Sequence, residues 1–184
     1  MPISSMRNFW KYKAVMSKVN FLKLEYRTEP HRKDTLCGIV DGLNDKPAYT
    51  TTDTGIKWNA KIVNNEEITF QFVPIDYNII IYKSNGTDKE RSCDGMLLVD
   101  EKRMIAFVEL KDVRVGGMSD AIAQLKETIT HFLENHRYDK FRIRRAYAAN
   151  IAHPQFHYNM KDEMEEFQKL LHFTLYPEAT IKIS

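Results

Sequence analysis

The clearest pattern in the chain lies between residues 91 and 112, RSCDGMLLVDEKRMIAFVELKD. Two apolar runs, 96–99 and 104–108, flank a charged tetrapeptide at 100–103. This predicts two strands joined by a two-residue turn at Glu101 and Lys102 or by a four-residue connection. Upstream, Met6, Phe9, Trp10, Met16 and Val19 stand near helical spacing and predict a first helix over 4–19. Residues 25–55 are polar and rich in turn formers, and read as irregular structure or an insertion. Strands are predicted at 56–63, 67–74 and 78–83, the first two alternating and joined by Asn-Asn-Glu as a hairpin. Downstream, Gly116 and Gly117 break the strand and Ser119 or Asp120 is placed to cap a helix. Met118, Ile122, Leu125, Ile129 and Phe132 then form an amphipathic stripe to about Asn135. A strand over 141–152, stopped by His153 and Pro154, a helix over 162–171 and a short last strand in ATIKIS complete the reading. Strands first, then strand–helix–strand–helix, predict an α/β (α+β) chain with a central mixed sheet flanked by helices.

Either connection at 100–103 sets the same register. Val99 faces Met104 and, carried outwards, Asp94 faces Glu109 on a shared face, with Cβ atoms roughly 4.5–5.5 Å apart. Lys111, two residues further on, joins that face. Met96, Leu98, Ile105 and Phe107 complete it, and Leu97, Val99, Met104, Ala106, Val108 and Leu110 form the other. A hairpin apolar on both faces belongs inside a sheet covered on each side. An acid pair and a lysine therefore meet at the edge of a buried sheet, where unpaired charge is expensive. The simplest relief for two close carboxylates is a hard divalent cation. Magnesium is commonly held by one or two carboxylates, waters and phosphate oxygens. A lysine beside it can position a nucleophile or balance charge developing on phosphorus. These parts suit phosphodiester hydrolysis; the same three residues also fit a structural salt bridge at a sheet edge.

Composition changes this picture little. With 184 residues, 43% of them hydrophobic, the chain can bury the core of one domain spanning 1–184, of which 1–55 would be an N-terminal helix and irregular segment or insertion. A net charge of +2 permits a nucleic-acid partner without arguing for one. Cys37 and Cys93 match neither a disulfide framework nor a zinc pattern, which points to a reducing compartment. No apolar leader or membrane-length apolar run is present, so a soluble cytoplasmic protein without a membrane partner is expected. His131, His136, His153, His157 and His172 show no triad or zinc spacing. Trp10, Trp58 and the tyrosines read as core or interface. Alternation points Cys93 away from Asp94, into packing.

Asp94, the short hairpin, Glu109-Leu110-Lys111 and the amphipathic helix that follows resemble the PD-(D/E)xK nuclease superfamily, with its restriction-endonuclease-like fold, over about residues 78–152. One position departs: Cys93 stands where the family has proline, which leaves the metal ligand in place. The resemblance implies a nuclease core over 56–184. It implies Mg²⁺, with Mn²⁺ able to substitute, on Asp94, Glu109 and the backbone carbonyl of Leu110. Lys111 would activate or position the attacking water. AIAQLKETI resembles the stretch in which some members hold a helix glutamine near the metal, here Gln124, although Gln124 also reads as a solvated or capping group. Many members add an upstream acid, for which Glu25 and Glu29 are candidates.

Arg114, Arg142 and Arg144, with Arg145 beside them, are candidate phosphate contacts. An exposed strand face accounts equally well for Arg142 and Arg144, and a solvated loop for Arg114. The implied activity is that of a metal-dependent DNA endonuclease, in restriction, defence or DNA processing. One site per chain implies a homodimer or a partner subunit for cutting both strands. The alternatives are a non-catalytic nucleic-acid-binding or assembly subunit of the same fold, and a ribonuclease acting on RNA.

Overall fold

The computed structural model describes residues 18–83, 85–112, 117–152 and 160–184. Within them the chain forms β1 (His31–Arg32), β2 (Leu36–Val40), β3 (Tyr49–Thr51), β4 (Ala60–Val63) and β5 (Phe70–Pro74). The hairpin follows as β6 (Gly95–Val99) and β7 (Met104–Lys111), then α1 (Gly117–Asn135) and β8 (Ile143–Asn150). Next come α2 (Lys161–Glu166), continued by a π-helical turn at Phe167–Leu171, β9 (Thr174–Tyr176) and β10 (Thr180–Lys182). One sheet has the order β1-β5-β6-β7-β8-β9, antiparallel as far as β7 and parallel from β7 to β9. The other has the order β10-β4-β2-β3, with only β10 and β4 parallel. The chain is thus a mixed α/β structure with two mixed sheets and few helices.

The hairpin adopts the register its turn dictates, from Val99 opposite Met104 to Gly95 opposite Val108. Arg103 closes the connection with a φ of 49° and donates its N–H to the Asp100 carbonyl at 2.9 Å. Both faces are covered. Met96, Leu98, Ile105 and Phe107 pack with Leu125, Ile129 and Phe132 of α1. Leu97, Val99, Met104, Ala106, Val108 and Leu110 pack with Ile39, Ile62 and Ile181 of the second sheet. The Phe107 ring meets Phe132 and Phe173 edge-on at 5.3 and 5.6 Å, a favoured aromatic geometry. Of the helical stripe, Met118, Leu125, Ile129 and Phe132 are buried and Ile122 packs at the margin.

Other elements differ from the pattern, each for a physical reason. Residues 25–55 are not irregular: they supply β1, β2 and β3. The run Leu36–Val40 is too short to show a period, yet Cys37 and Ile39 are buried between the sheets. The strands near 56–63 and 67–74 form as β4 and β5 but do not pair as a hairpin; they enter different sheets. Buried Asn64 holds the crossing, its amide donating to the Ile68 carbonyl at 2.9 Å and accepting the Ile68 N–H at 3.1 Å. Segment 78–83 joins no sheet beyond one bridge, Tyr82 to Lys89. The chain turns there because the Asn78 amide donates to the carbonyls of Tyr26 and Pro74, both at 2.8 Å.

Helix α1 begins at Gly117, so Asp120 lies inside its first turn and not at a cap. Cys93 lies in the α1-side core, not on the opposite face, because β6 becomes regular only at Gly95. Its N–H is donated to Thr128 Oγ1 of α1 at 2.8 Å. The helix predicted over 4–19 falls mainly on residues 1–17, outside those described, as do Arg114, His153 and His157. No described helix is long and apolar enough to cross a membrane.

Candidate functional site

The site forms where β6 and β7 run out together. Gly95 allows the close approach that places Asp94 there: a Cβ on it would stand 2.2 Å from the Phe72 ring. The Asp94 carbonyl accepts the N–H of Ile75 at 2.9 Å, and Asp94 Oδ2 accepts the N–H of Leu110 at 2.5 Å. Glu109, only 3% exposed, receives Gln124 Nε2 at 2.5 Å and Lys111 Nζ at 2.7 Å, both on Oε1. Lys111 Nζ also lies 2.9 Å from Asp120 Oδ2, and Arg91 lies 3.0 Å from Asp120 Oδ1. Asp120 and Gln124 are one turn apart on α1, so the helix lays both polar groups along the hairpin edge. Asp94, Glu109, Lys111 and Gln124 are therefore brought together, with Leu110 between the two carboxylate contacts.

The electrostatics follow from the burial. Desolvation pushes Asp94 up to about 7; the Leu110 N–H and Lys111 oppose this, while Asp41 and Asp76 add to it. Desolvation, then repulsion from Asp94, raises Glu109 to about 9 against the pull of Lys111. Burial by itself would lower Lys111, but its ion pairs with Glu109 and Asp120 outweigh this and raise it. Lys111 is thus a firmly held cation near neutral pH. It can donate hydrogen bonds and balance charge, and it is poorly suited to accept a proton. Arg91, followed by Lys111, holds the Asp120 carboxyl below its ordinary value. Two carboxyl groups that resist ionisation, beside one lysine, form an oxygen-donor set suited to a hard divalent cation.

Asp120, Asp41, Asp76 and Arg91 carry no local motif, and sequence reasoning gave them no role at this site. Asp41 follows β2 and Asp76 follows β5; only the stacking of strands distant in sequence brings their charges to Asp94 and Lys111. Asn150, 5% exposed, stands beside Lys111 in the β7–β8 register. Glu29 accepts the N–H and hydroxyl of Thr50 at 2.8 and 2.6 Å, and Glu25 pairs with Lys23 on the surface at 3.1 Å.

Arg142, Arg144 and Arg145 lie elsewhere. Parallel pairing places Ile143 beside Met104 and Asn150 beside Lys111. Arg142 and Arg144 therefore sit at the far end of the sheet, about 20 Å from the site at the usual strand rise. Arg144 donates to the carbonyls of His172 and Phe141 at 2.8 and 2.7 Å, and Arg145 to that of Lys182 at 2.6 Å, while Arg142 is exposed. A groove of about 950 Å³ runs past Asp41, Lys46, Lys57, Pro74 and Asp112, next to the ends of β5 and β7. Compared with known proteins, the chain matches no family model, no curated protein and no solved structure.

Proposed function

We propose that this chain is a metal-dependent nuclease of restriction-endonuclease-like fold that hydrolyses phosphodiester bonds of DNA. The observation that carries the reading is the buried constellation at the hairpin edge. Asp94 and Glu109 are both pushed towards protonation, and Lys111 and Gln124 contact the same Glu109 oxygen. Asp94, Glu109 and the Leu110 carbonyl would hold Mg²⁺ or Mn²⁺, which when bound supplies Lewis-acid stabilisation of charge on the phosphate. Lys111, kept protonated by Glu109 and Asp120, donates hydrogen bonds that orient the attacking water or a phosphate oxygen; it is not the base. Gln124 fixes the Glu109 carboxylate, and Asp120 fixes the lysine. The groove beside Asp41 and Asp112 gives a polynucleotide a path to this edge. Cutting both strands would call for a homodimer or a partner subunit, and a role in restriction, defence or DNA processing fits such an activity.

A second reading has its own support. Lys111 already lies within 3 Å of two carboxylates, which suits a structural ion-pair network in a non-catalytic nucleic-acid-binding or assembly subunit. Plasmid, single-stranded DNA and matched RNA are incubated with wild type, Asp94→Ala and Lys111→Ala in Mg²⁺ or Mn²⁺. Metal-dependent cutting of DNA by wild type alone supports the nuclease. Cutting of RNA alone makes it a ribonuclease. No cutting, with no metal bound at Asp94, favours the binding subunit.

A further inference from the structure

A second group of side chains of metal-ligating type gathers between α1 and the segment before β6. Among the described residues, Glu90, Glu127 and His131 are the grouping of three whose ligand atoms all lie within 4.8 Å of one another. Glu127 and His131 are one helical turn apart and share a face. Glu90 comes from the chain leading into Asp94, where its N–H is donated to the Ile81 carbonyl at 2.8 Å.

The histidine is the informative member. It is 2% exposed, and its Nε2 has no hydrogen-bond partner although Glu127 Oε1 stands 3.5 Å away. An unsatisfied buried polar atom costs about 1–3 kcal/mol. On the other side of the ring, Nδ1 lies 3.6 Å from Glu134 Oε2. At that distance Nδ1 and Glu134 are beyond hydrogen-bond length, yet the carboxylate stands on the side from which carboxylates orient metal-binding histidines, with Nε2 facing Glu127. Tetrahedral zinc, with ligands at about 2.0–2.1 Å, spaces its donor atoms about 3.4 Å apart. The separation of Nε2 from Glu127 Oε1 is close to that.

We propose that Glu90, Glu127 and His131 form a second cation site, for a divalent transition ion of the zinc class. The imidazole sets the class, since magnesium and calcium take oxygen donors and imidazole suits zinc and its neighbours. With three protein ligands, a fourth position is left for water. The ion would clamp the segment before Asp94 onto the helix that carries Asp120 and Gln124. The site shares no ligand with the hairpin edge and does not depend on a nuclease activity.

The test uses the full chain, stripped with chelator and titrated with zinc chloride by calorimetry. Wild type is compared with Glu90→Gln, Glu127→Gln and Asp94→Asn, while the His131 ring nitrogens are followed by ¹⁵N NMR. Glu90 and Glu127 retain solvent contact, so these substitutions leave the core intact. One zinc should bind wild type and Asp94→Asn alike, weaken about tenfold or more in Glu90→Gln and Glu127→Gln, and shift the His131 Nε2 resonance. Equal zinc binding in all four proteins would overturn the proposal, as would loss confined to Asp94→Asn. A His131 Nε2 resonance left unmoved by zinc would also overturn it.

Discussion

Replacing Asp94 with asparagine should stabilise the metal-free protein at alkaline pH, the reverse of what removing a structural ion-pair partner would do. Burial raises the Asp94 carboxyl from 3.8 to about 7. Between those values the folded protein holds a proton that the unfolded chain has released, so its stability falls as pH rises through that window. At 1.36 kcal/mol per unit, the ceiling on this cost is about 4 kcal/mol. Asp94 keeps some solvent contact, so about half of that is the working figure. Asparagine keeps an acceptor for the Leu110 N–H and loses only the charge on that bond, worth about 1 kcal/mol. Removing the charge also relieves Glu109, which Asp94 pushes upward.

The net expectation for Asp94→Asn in chelator at pH 8 is a gain of roughly 1–3 kcal/mol, shrinking to nothing near pH 4. Urea denaturation of both proteins at pH 4.5, 6 and 8 measures it. Adding millimolar Mg²⁺ should raise the stability of wild type and leave the variant unchanged. Destabilisation by the same amount at all three pH values would refute the reasoning, because the carboxylate would then be a net contributor to the fold.

Lys111→Met should cost about 1–3 kcal/mol near pH 10, where Glu109 has lost its proton and is left buried without its cation, and little at pH 7, where Glu109 is protonated; the same denaturation series extended to pH 10 reads the difference. Gly95→Ala drives a methyl into the Phe72 ring and should cost about 1–3 kcal/mol, with cleavage falling further as Asp94 shifts. Gln124→Leu removes the amide from Glu109, and should lower cleavage about 10–100-fold while moving stability by only about 1 kcal/mol. Phe132→Ala opens the aromatic cluster with Phe21 and Phe107 and should cost about 3–5 kcal/mol in a thermal or urea melt.

How far the fold was legible in the sequence depended on how local its cause was. The β6–β7 register was readable because a four-residue connection leaves one pairing, and the period of two then assigns each side chain of the paired strands to a face, though not Cys93, which precedes them. That step alone sent Met96, Leu98, Ile105 and Phe107 towards α1 and placed Asp94, Glu109 and Lys111 at one edge. The α1 stripe was readable for the same reason, with a period of 3.6. The partners of β4 and β5 were not: both alternate, both sit beside a plausible turn, and only contacts with β2, β10 and β6 decide which sheet takes each. Cys37 and Ile39 lay in a run too short to carry a period, so β2 emerged only from the core it fills.

The site divides along the same line. Asp94, Glu109 and Lys111 come from one hairpin, and short-range geometry joins them. Gln124 was placed by resemblance, and the packing of α1 brings it onto Glu109. Asp120, Asp41, Asp76 and the Glu90–Glu127–His131 group converge only because helix, loops and strands far apart in sequence are pressed together by burial. The sequence by itself determined the hairpin, its faces and the acid–lysine edge, because their geometry is set within about twenty residues. The tertiary structure alone decided how the two sheets stack, which further charges reach the edge, and that His131 is buried with one ring nitrogen unpaired. Those depend on which distant apolar surfaces leave water together.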